Sequence, residues 1–383
     1  MKVSMIGLGK LGLPCAIEMS RKVKVCGYDI NNISAPFAVA DQLADCIKHS
    51  RFIFVAVPTP HDPAYGGQAP IDHLLPKDFD YSLVKDVLKQ IAILRQPEQQ
   101  VVLISTVLPG TTRRELAIII PDLIYNPYLI ALGTVAQDFL DPEMIIIGSD
   151  NTDVSELCDF YRLVLGGTPR FETGSWEDAE SIKIFYNLFG SIKLAFVNTI
   201  MDVADRIGHV RVDRVTDAIS NSNKRIMSNS YMTAGLGDGG ACHPRDNIAL
   251  RWLSHRLSLG YDLFGDIART REAQARNLAE KLCGYELPVV IMGKSYKKNL
   301  SNTEGSYSLL VGHYVEKLAG AVHYIDPLNH ADYEINKPAT FLISFHHDWI
   351  QQYTKYPNGS IIVDPWRTGL RIPGCTVIDL GNN

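Results

Sequence analysis

The residues best suited to chemistry lie in 235-GLGDGGACHPRDN-247, where four glycines surround one cysteine and Pro-Arg-Asp follows at once. Glycine loses more conformational freedom on folding than any other residue, so such a cluster implies a sharp turn or a backbone that something approaches closely. Cys242 has basic Arg245 near it and Asp246 four residues on. Basic surroundings favour the thiolate, which is the nucleophilic form of cysteine. The plain alternative is a small cysteine buried in a turn. Lys183 and Asn187 stand four apart, on one face of a helical stretch that is otherwise apolar around Ile184, Phe185 and Leu188. A lysine there either snorkels to water or serves an anionic intermediate.

A second group of residues opens the chain. The run 7-GLGKLG-12 follows an apolar stretch and begins a helical pattern, and Asp29 closes the next apolar stretch. Gly7, Gly9 and Gly12, with Lys10 and Leu11 between them, would let a pyrophosphate approach a helix N-terminus, and an acid at that spacing accepts hydrogen bonds from a ribose diol. The charge of Asp29 would repel a 2′-phosphate, so the cofactor expected is NAD rather than NADP. Pro58 and Thr59 in 55-VAVPTP-60, and Ser105 and Thr106 in 104-ISTVLPGTT-112, follow two further apolar runs. Open parallel sheets place ligands at such ends. Taken alone, each is equally an ordinary turn or helix cap.

The elements that must position these residues are short runs rich in Val and Ile: 2-KVSMIG-7, 23-VKVCGYD-29, 52-FIFVAV-57, 100-QVVLIS-105, 122-DLIYN-126 and 144-MIIIG-148. Continuous rather than alternating apolar strands imply a parallel sheet covered on both faces. This first domain is expected over residues 1–170, with 61–80 as a long polar loop inside it. Residues 176–208 lack proline, start acidic and close on glycine, which predicts one long helix. It is apolar around most of its circumference, so it should be buried on nearly all sides, as at a homodimer interface. A helical region, 171–282, follows from it. Residues 283–383 then repeat the opening theme with 288-PVVIMGKS-295, 321-AVHYIDP-327, 340-TFLIS-344 and 360-SIIVDP-365. The fold class read from this order is α/β: two Rossmann-like, doubly wound domains joined by a long central helix and a helical core.

Composition narrows the function classes. With 383 residues, 46% hydrophobic and 21% charged, the chain reads as a soluble globular protein of two or three domains. A net charge of −5 without blocks of like charge gives no footprint for nucleic acid or an anionic membrane surface. The seven cysteines are odd in number and scattered, with no C-x-x-C. That speaks against a disulfide framework or a structural metal site and for a reducing cytoplasm. No signal peptide is read at the N-terminus, and no unbroken apolar run reaches the roughly 18 residues of a membrane span.

Together these stretches resemble the UDP-glucose/GDP-mannose dehydrogenase family, the nucleotide-sugar 6-dehydrogenases of polysaccharide biosynthesis. The resemblance runs through 7-GLGKLG-12, "VAVPTP", "STVLPGTT", "NPYLIALGTVAQDFLDPEMIIIG", "AESIKIFYNLFGSIKLAFVN", "KRIMSNSYMTAGLGDGGACHPRD" and "GKSYKKN". It implies that a primary alcohol on a nucleotide-linked hexose is oxidised twice by hydride transfer to NAD, through a thiohemiacetal and a thioester on Cys242. Lys183 and Asn187 would stabilise the oxyanion, Asp246 would handle protons and Thr106 would help place a water. Gly235, Gly237, Gly239 and Gly240 would let the loop wrap the sugar, while Tyr128, Lys297 and Arg225 would touch the substrate, Arg225 from across a dimer. The chain also departs from the family. Where the family reads N-P-E-F-L-R-E-G, 126-NPYLIALG-133 replaces both glutamates by Tyr128 and Leu132, and Asp238 stands where an aromatic is usual. These departures leave the group that activates water unassigned. They keep two rivals open: an enzyme that stops at the aldehyde or takes another nucleotide-linked alcohol, and a weakened paralogue that binds nucleotide sugar.

Overall fold

The Val- and Ile-rich runs become strands whose successive side chains point to opposite, equally buried faces. Phe52, Ile53, Phe54 and Val55 are all at 0% exposure in the computed structural model, which describes residues 1–382 apart from 61, 66, 241 and 299. Ala241, inside the glycine-rich segment, therefore lies outside the described residues. In the first unit, Met1–Leu194, one apolar layer gathers Val3, Met5, Phe52 and Phe54, and the other Ile6, Ile53, Val55 and Leu103.

The sheet between those layers has eight strands: β1 (Lys2–Ile6), β2 (Lys24–Tyr28), β3 (Ala38–Val39), β4 (Phe52–Val55), β5 (Gln100–Leu103), β6 (Ile124–Tyr125), β7 (Ile145–Gly148) and β8 (Phe171–Gly174). Their order is β3-β2-β1-β4-β5-β6-β7-β8, with only β6 and β7 paired antiparallel. The order reverses between β1 and β4, so the crevice for a ligand opens at the carboxyl ends of those two strands. That is where residues 7–12 and 56–60 lie.

The second unit, Ala195–Asn383, carries a six-stranded sheet: β9 (Val289–Met292), β10 (His323–Asp326), β11 (Ala331–Asp332), β12 (Thr340–Ile343), β13 (Ile361–Asp364) and β14 (Thr376–Asp379), in the order β11-β10-β9-β12-β13-β14. The internal repeat is structural. Gly7 after β1 and Gly293 after β9 both have left-handed backbones, at φ 93° and 101°. Asp29 after β2 accepts the Leu8 N–H at 2.7 Å, and Asp326 at the end of β10 accepts the Lys294 N–H at 2.7 Å.

Boundaries differ from the expected cuts at 170 and 282. β8 completes the first sheet beyond residue 170, and its sequence FETG is too polar to announce a strand. The helix Leu263–Cys283 packs Ala275, Ala279 and Leu282 into the core beneath the second sheet.

The long helix spans Trp176–Ile207. Its first turns belong to the first unit's core, with Trp176 and Ala179 buried. Beyond them the expected burial fails within one chain: Phe185, Leu188, Phe189, Ile192 and Leu194 are 60%, 47%, 50%, 55% and 64% exposed. By length and composition this helix could cross a membrane, with a mean hydropathy of 1.3 in its most apolar window. Counting unbroken apolar runs missed this, because Asn187, Lys193 and Asn198 interrupt them.

Candidate active site

The glycines of the first crevice have separable reasons to be there. A Cβ on Gly7 would come within 2.8 Å of the Ala56 carbonyl oxygen, and one on Gly12 would overlap the Gly7 carbonyl. Gly7 is therefore required by the close approach of the chain leaving β4, and Gly12 by the packing of the helix Gly12–Ser20 on the turn after β1. Gly9 has nothing within 4 Å of the same position. The fold does not need a glycine there, and the open space suits an approaching pyrophosphate. Asp29 is partly exposed at the end of β2 and accepts from Leu8 and from the Asn31 backbone N–H at 2.8 Å, while Lys10 is exposed and Leu11 leads into the helix. These residues fit a dinucleotide. The floor is knitted by two hydroxyls: Ser105 Oγ donates to the Val57 carbonyl at 2.5 Å, and Thr59 Oγ1, next to Pro58, donates to the Thr106 carbonyl at 2.9 Å.

The long helix supplies the first unit's other candidates. Lys183 is 8% exposed and its Nζ donates to the Tyr128 carbonyl at 2.7 Å. Burial alone lowers its pKa below the ordinary 10.5. Tyr128 offers the site its backbone, for its phenol meets the Tyr161 hydroxyl at 2.9 Å and burial raises its pKa well above 10. Leu132 is 73% exposed. Asn187, one turn after Lys183, borders a 340 Å³ cavity together with Leu129, Ile130, Asp138, Asp141 and Glu143. No local pattern marks Glu180. It is fully buried and accepts the backbone N–H groups of Gly110 at 2.5 Å and Thr112 at 2.7 Å, tying the long helix to the 105–112 turn.

The second unit holds the thiol. All seven cysteines are free, and Cys242 alone is exposed. It is the first residue of the helix Cys242–Arg256, where unpaired backbone N–H groups receive negative charge well. Asp246 lies one turn on, its carboxylate 3.0 Å from Arg245 Nε. The glycines before the thiol are explained by rings of the same unit. A Cβ on Gly235 would overlap Trp366, one on Gly237 would overlap Tyr307, and one on Gly239 would overlap Tyr296. Gly240, at φ 95°, also lies against Tyr296. No local pattern marks those three rings, which reach the loop only through the fold. Asp238 is ion-paired with Arg271, not open to solvent as a lone acid. Arg225 donates to the Tyr231 hydroxyl at 2.6 Å, and Lys297 is exposed beyond β9.

Comparison with known proteins places the chain in a family. The chain is 24% identical over 434 residues to a GDP-mannose 6-dehydrogenase of Pseudomonas aeruginosa, covering 95% of this chain and 96% of that one. It is 23% identical over 367 residues to a UDP-glucose 6-dehydrogenase of Bacillus subtilis, covering 85% and 76%. A solved GDP-mannose dehydrogenase from Pseudomonas aeruginosa, in a ternary complex, shares the fold with a TM-score of 0.84 at 19% identity over 98% of this chain and 99% of that one. Residues 33–163 match the NAD binding domain of the UDP-glucose/GDP-mannose dehydrogenase family, and residues 177–272 match its central domain. With those two matches falling on the crevice-bearing sheet and on the segment that carries Lys183 and Cys242, the chain belongs to the UDP-glucose/GDP-mannose dehydrogenase family and is an NAD-dependent dehydrogenase.

Proposed function

We propose that this chain oxidises carbon 6 of a UDP- or GDP-linked hexose from primary alcohol to uronic acid, with Cys242 carrying the intermediate. The observation that carries this reading is the exposed Cys242 thiol at a helix N-terminus directly after a glycine loop held by three rings. NAD, when bound, takes up a hydride at each of the two oxidations. The chain's own residues do the rest. The Lys183 ammonium has three donors, one of them committed to Tyr128, and it receives the substrate oxyanion together with Asn187. Cys242 adds to the aldehyde carbon to give a thiohemiacetal, and the second oxidation turns this into a thioester that water cleaves. Asp246 exchanges protons near the thiol, and Thr106 places water. The glycine loop, Lys297 and Arg225 contact the nucleotide sugar.

The exposed apolar face of the long helix is covered by a second copy of the chain, making a homodimer whose partner supplies Arg225. Light scattering at micromolar concentration would show the dimer, and a monomer would remove this part. Free cysteines throughout fit a cytoplasmic enzyme that feeds uronic acids into polysaccharide synthesis.

Cys242→Ser, assayed with UDP-glucose and GDP-mannose, should bind both ligands yet release at most one NADH per sugar. Two NADH from the serine variant would remove the covalent route. The replacement of both family glutamates favours one second reading, release of the aldehyde after one NADH, which the same count on the unmodified chain distinguishes.

A further inference from the structure

If Cys242 carries a thioester, some group must take a proton from the water that cleaves it. Position 128 offers a phenol committed to Tyr161, and position 132 an aliphatic side chain. Asp246 is paired with Arg245. The glycine loop holds a different constellation. Arg271 grips Asp238 at Oδ1, leaving Oδ2 3.9 Å from Nδ1 of His243, the residue next to the thiol. Arg271 is itself held, its guanidinium 5.3 Å over the Tyr307 ring and its carbonyl 3.1 Å from the Tyr307 hydroxyl. The same ring fills the space above Gly237. The carboxylate is therefore fixed, while the imidazole beside it is half exposed, its side chain at 50%.

We propose that His243 is the catalytic base for thioester hydrolysis and that Asp238 is its positioning residue, an inference that rests on the Cys242 reading above. A carboxylate facing Nδ1 favours the tautomer with its proton there, which leaves Nε2 as the acceptor. Successive helical residues diverge by about 100°, so the imidazole does not sit on the thiol as a preformed pair. In this reading it meets the water that attacks the acyl carbon bonded to Sγ of the preceding residue. His243 Nε2 takes a proton as the water oxygen bonds to that carbon. The tetrahedral adduct then collapses, the C–S bond breaks, and the imidazolium returns the proton to the departing Cys242 sulfur. The products are the carboxylic acid and the free thiol, with no oxidant or reductant consumed. Asp141, in the cavity beside Asn187, is the rival base.

The test begins with the unmodified chain, UDP-glucose, GDP-mannose and NAD. If neither sugar reduces NAD, the proposed function and this inference fall together. If one does, rapid quenching and intact-mass measurement follow the Cys242 acyl adduct in His243→Ala, His243→Gln, Asp238→Asn and Asp141→Asn. The inference requires the adduct to accumulate in both His243 variants, with deacylation slowed by about 10²–10⁴-fold. Added imidazole should restore hydrolysis to His243→Ala, which a structural defect would not allow. Asp238→Asn should slow the same step by less. Deacylation of His243→Ala at the unmodified rate, or accumulation only in Asp141→Asn, would overturn the proposal while leaving the covalent route intact.

Discussion

The ammonium of Lys183 rests 2.7 Å from the main-chain carbonyl of Tyr128, so the cation proposed for the oxyanion is anchored to the very stretch that departs from the family pattern. Lys183→Ala removes both a donor aimed at developing charge and the partner of a buried carbonyl. Turnover should fall by about 10²–10³-fold, and stability by about 1–3 kcal/mol. The stability term depends on pH. Burial lowers this lysine's folded pKa, so the proton is held more weakly in the folded than in the unfolded chain. Below the lowered value its charge costs stability relative to the neutral amine, and that penalty fades as pH rises toward 10.5. Urea midpoints of the unmodified chain and of Lys183→Met, taken from neutral to alkaline pH, should show this relief in the unmodified chain only.

Tyr128→Phe separates the phenol from the backbone. The hydroxyl bonds to Tyr161, which in turn donates to Asn126, so its loss should reduce stability by about 1 kcal/mol. Turnover should stay unchanged, since the carbonyl that holds Lys183 remains. Steady-state kinetics beside a urea titration measures both; a large drop in kcat would give the phenol a role that its place in the core denies it.

Glu180→Gln keeps one acceptor for Gly110 and Thr112 and turns a donor on the other. It should destabilise the chain by about 1–3 kcal/mol at neutral pH. Burial, opposed by those N–H groups, raises the Glu180 pKa above 4.5. A raised acid contributes stability that is fully present below 4.5 and is lost as pH rises through its folded value. The glutamine protein should lack that dependence, and thermal midpoints across the acid range would show whether it does.

Asp29→Asn removes the charge and keeps one oxygen to accept from either Leu8 or Asn31, the other position becoming an amide donor. The preference for NAD over NADP should narrow, because repulsion of a 2′-phosphate disappears while the crevice is kept. Titrating both cofactors into the two proteins gives the ratio directly. An unchanged ratio would place discrimination elsewhere.

Much of this was readable from local pattern. Strands β1, β2, β4, β5, β9, β12 and β13 follow runs of apolar residues, and the Gly7–Gly12 spacing with Asp29 describes a device that is local to one turn and one strand end. Cys242 was readable because its neighbours are unusual in kind. Glu180 was not, because its partners lie 68 and 70 residues away and an isolated acid in a helix looks solvated. The Asp238–Arg271 pair and the rings over Gly235, Gly237 and Gly239 were hidden for the same reason. The sequence suggested that those glycines made room for a sugar; the fold fills that room in part with its own side chains. The extent of the long helix is legible in the sequence, while the exposure of its apolar face in the single chain is not.

The twin carboxylates at the ends of β2 and β10 share one local geometry and differ in what surrounds them. Asp29 keeps part of its edge toward solvent, a socket that another molecule can still enter. Asp326 is 1% exposed and collects the N–H groups of Lys294, Leu328 and Asn329 together with the Asn329 side-chain amide, so it works as a rivet with every position filled. The same exchange of acid for amide would therefore speak two languages. At residue 29 it would be heard in which cofactor binds, and at residue 326 in whether the second half of the chain folds at all.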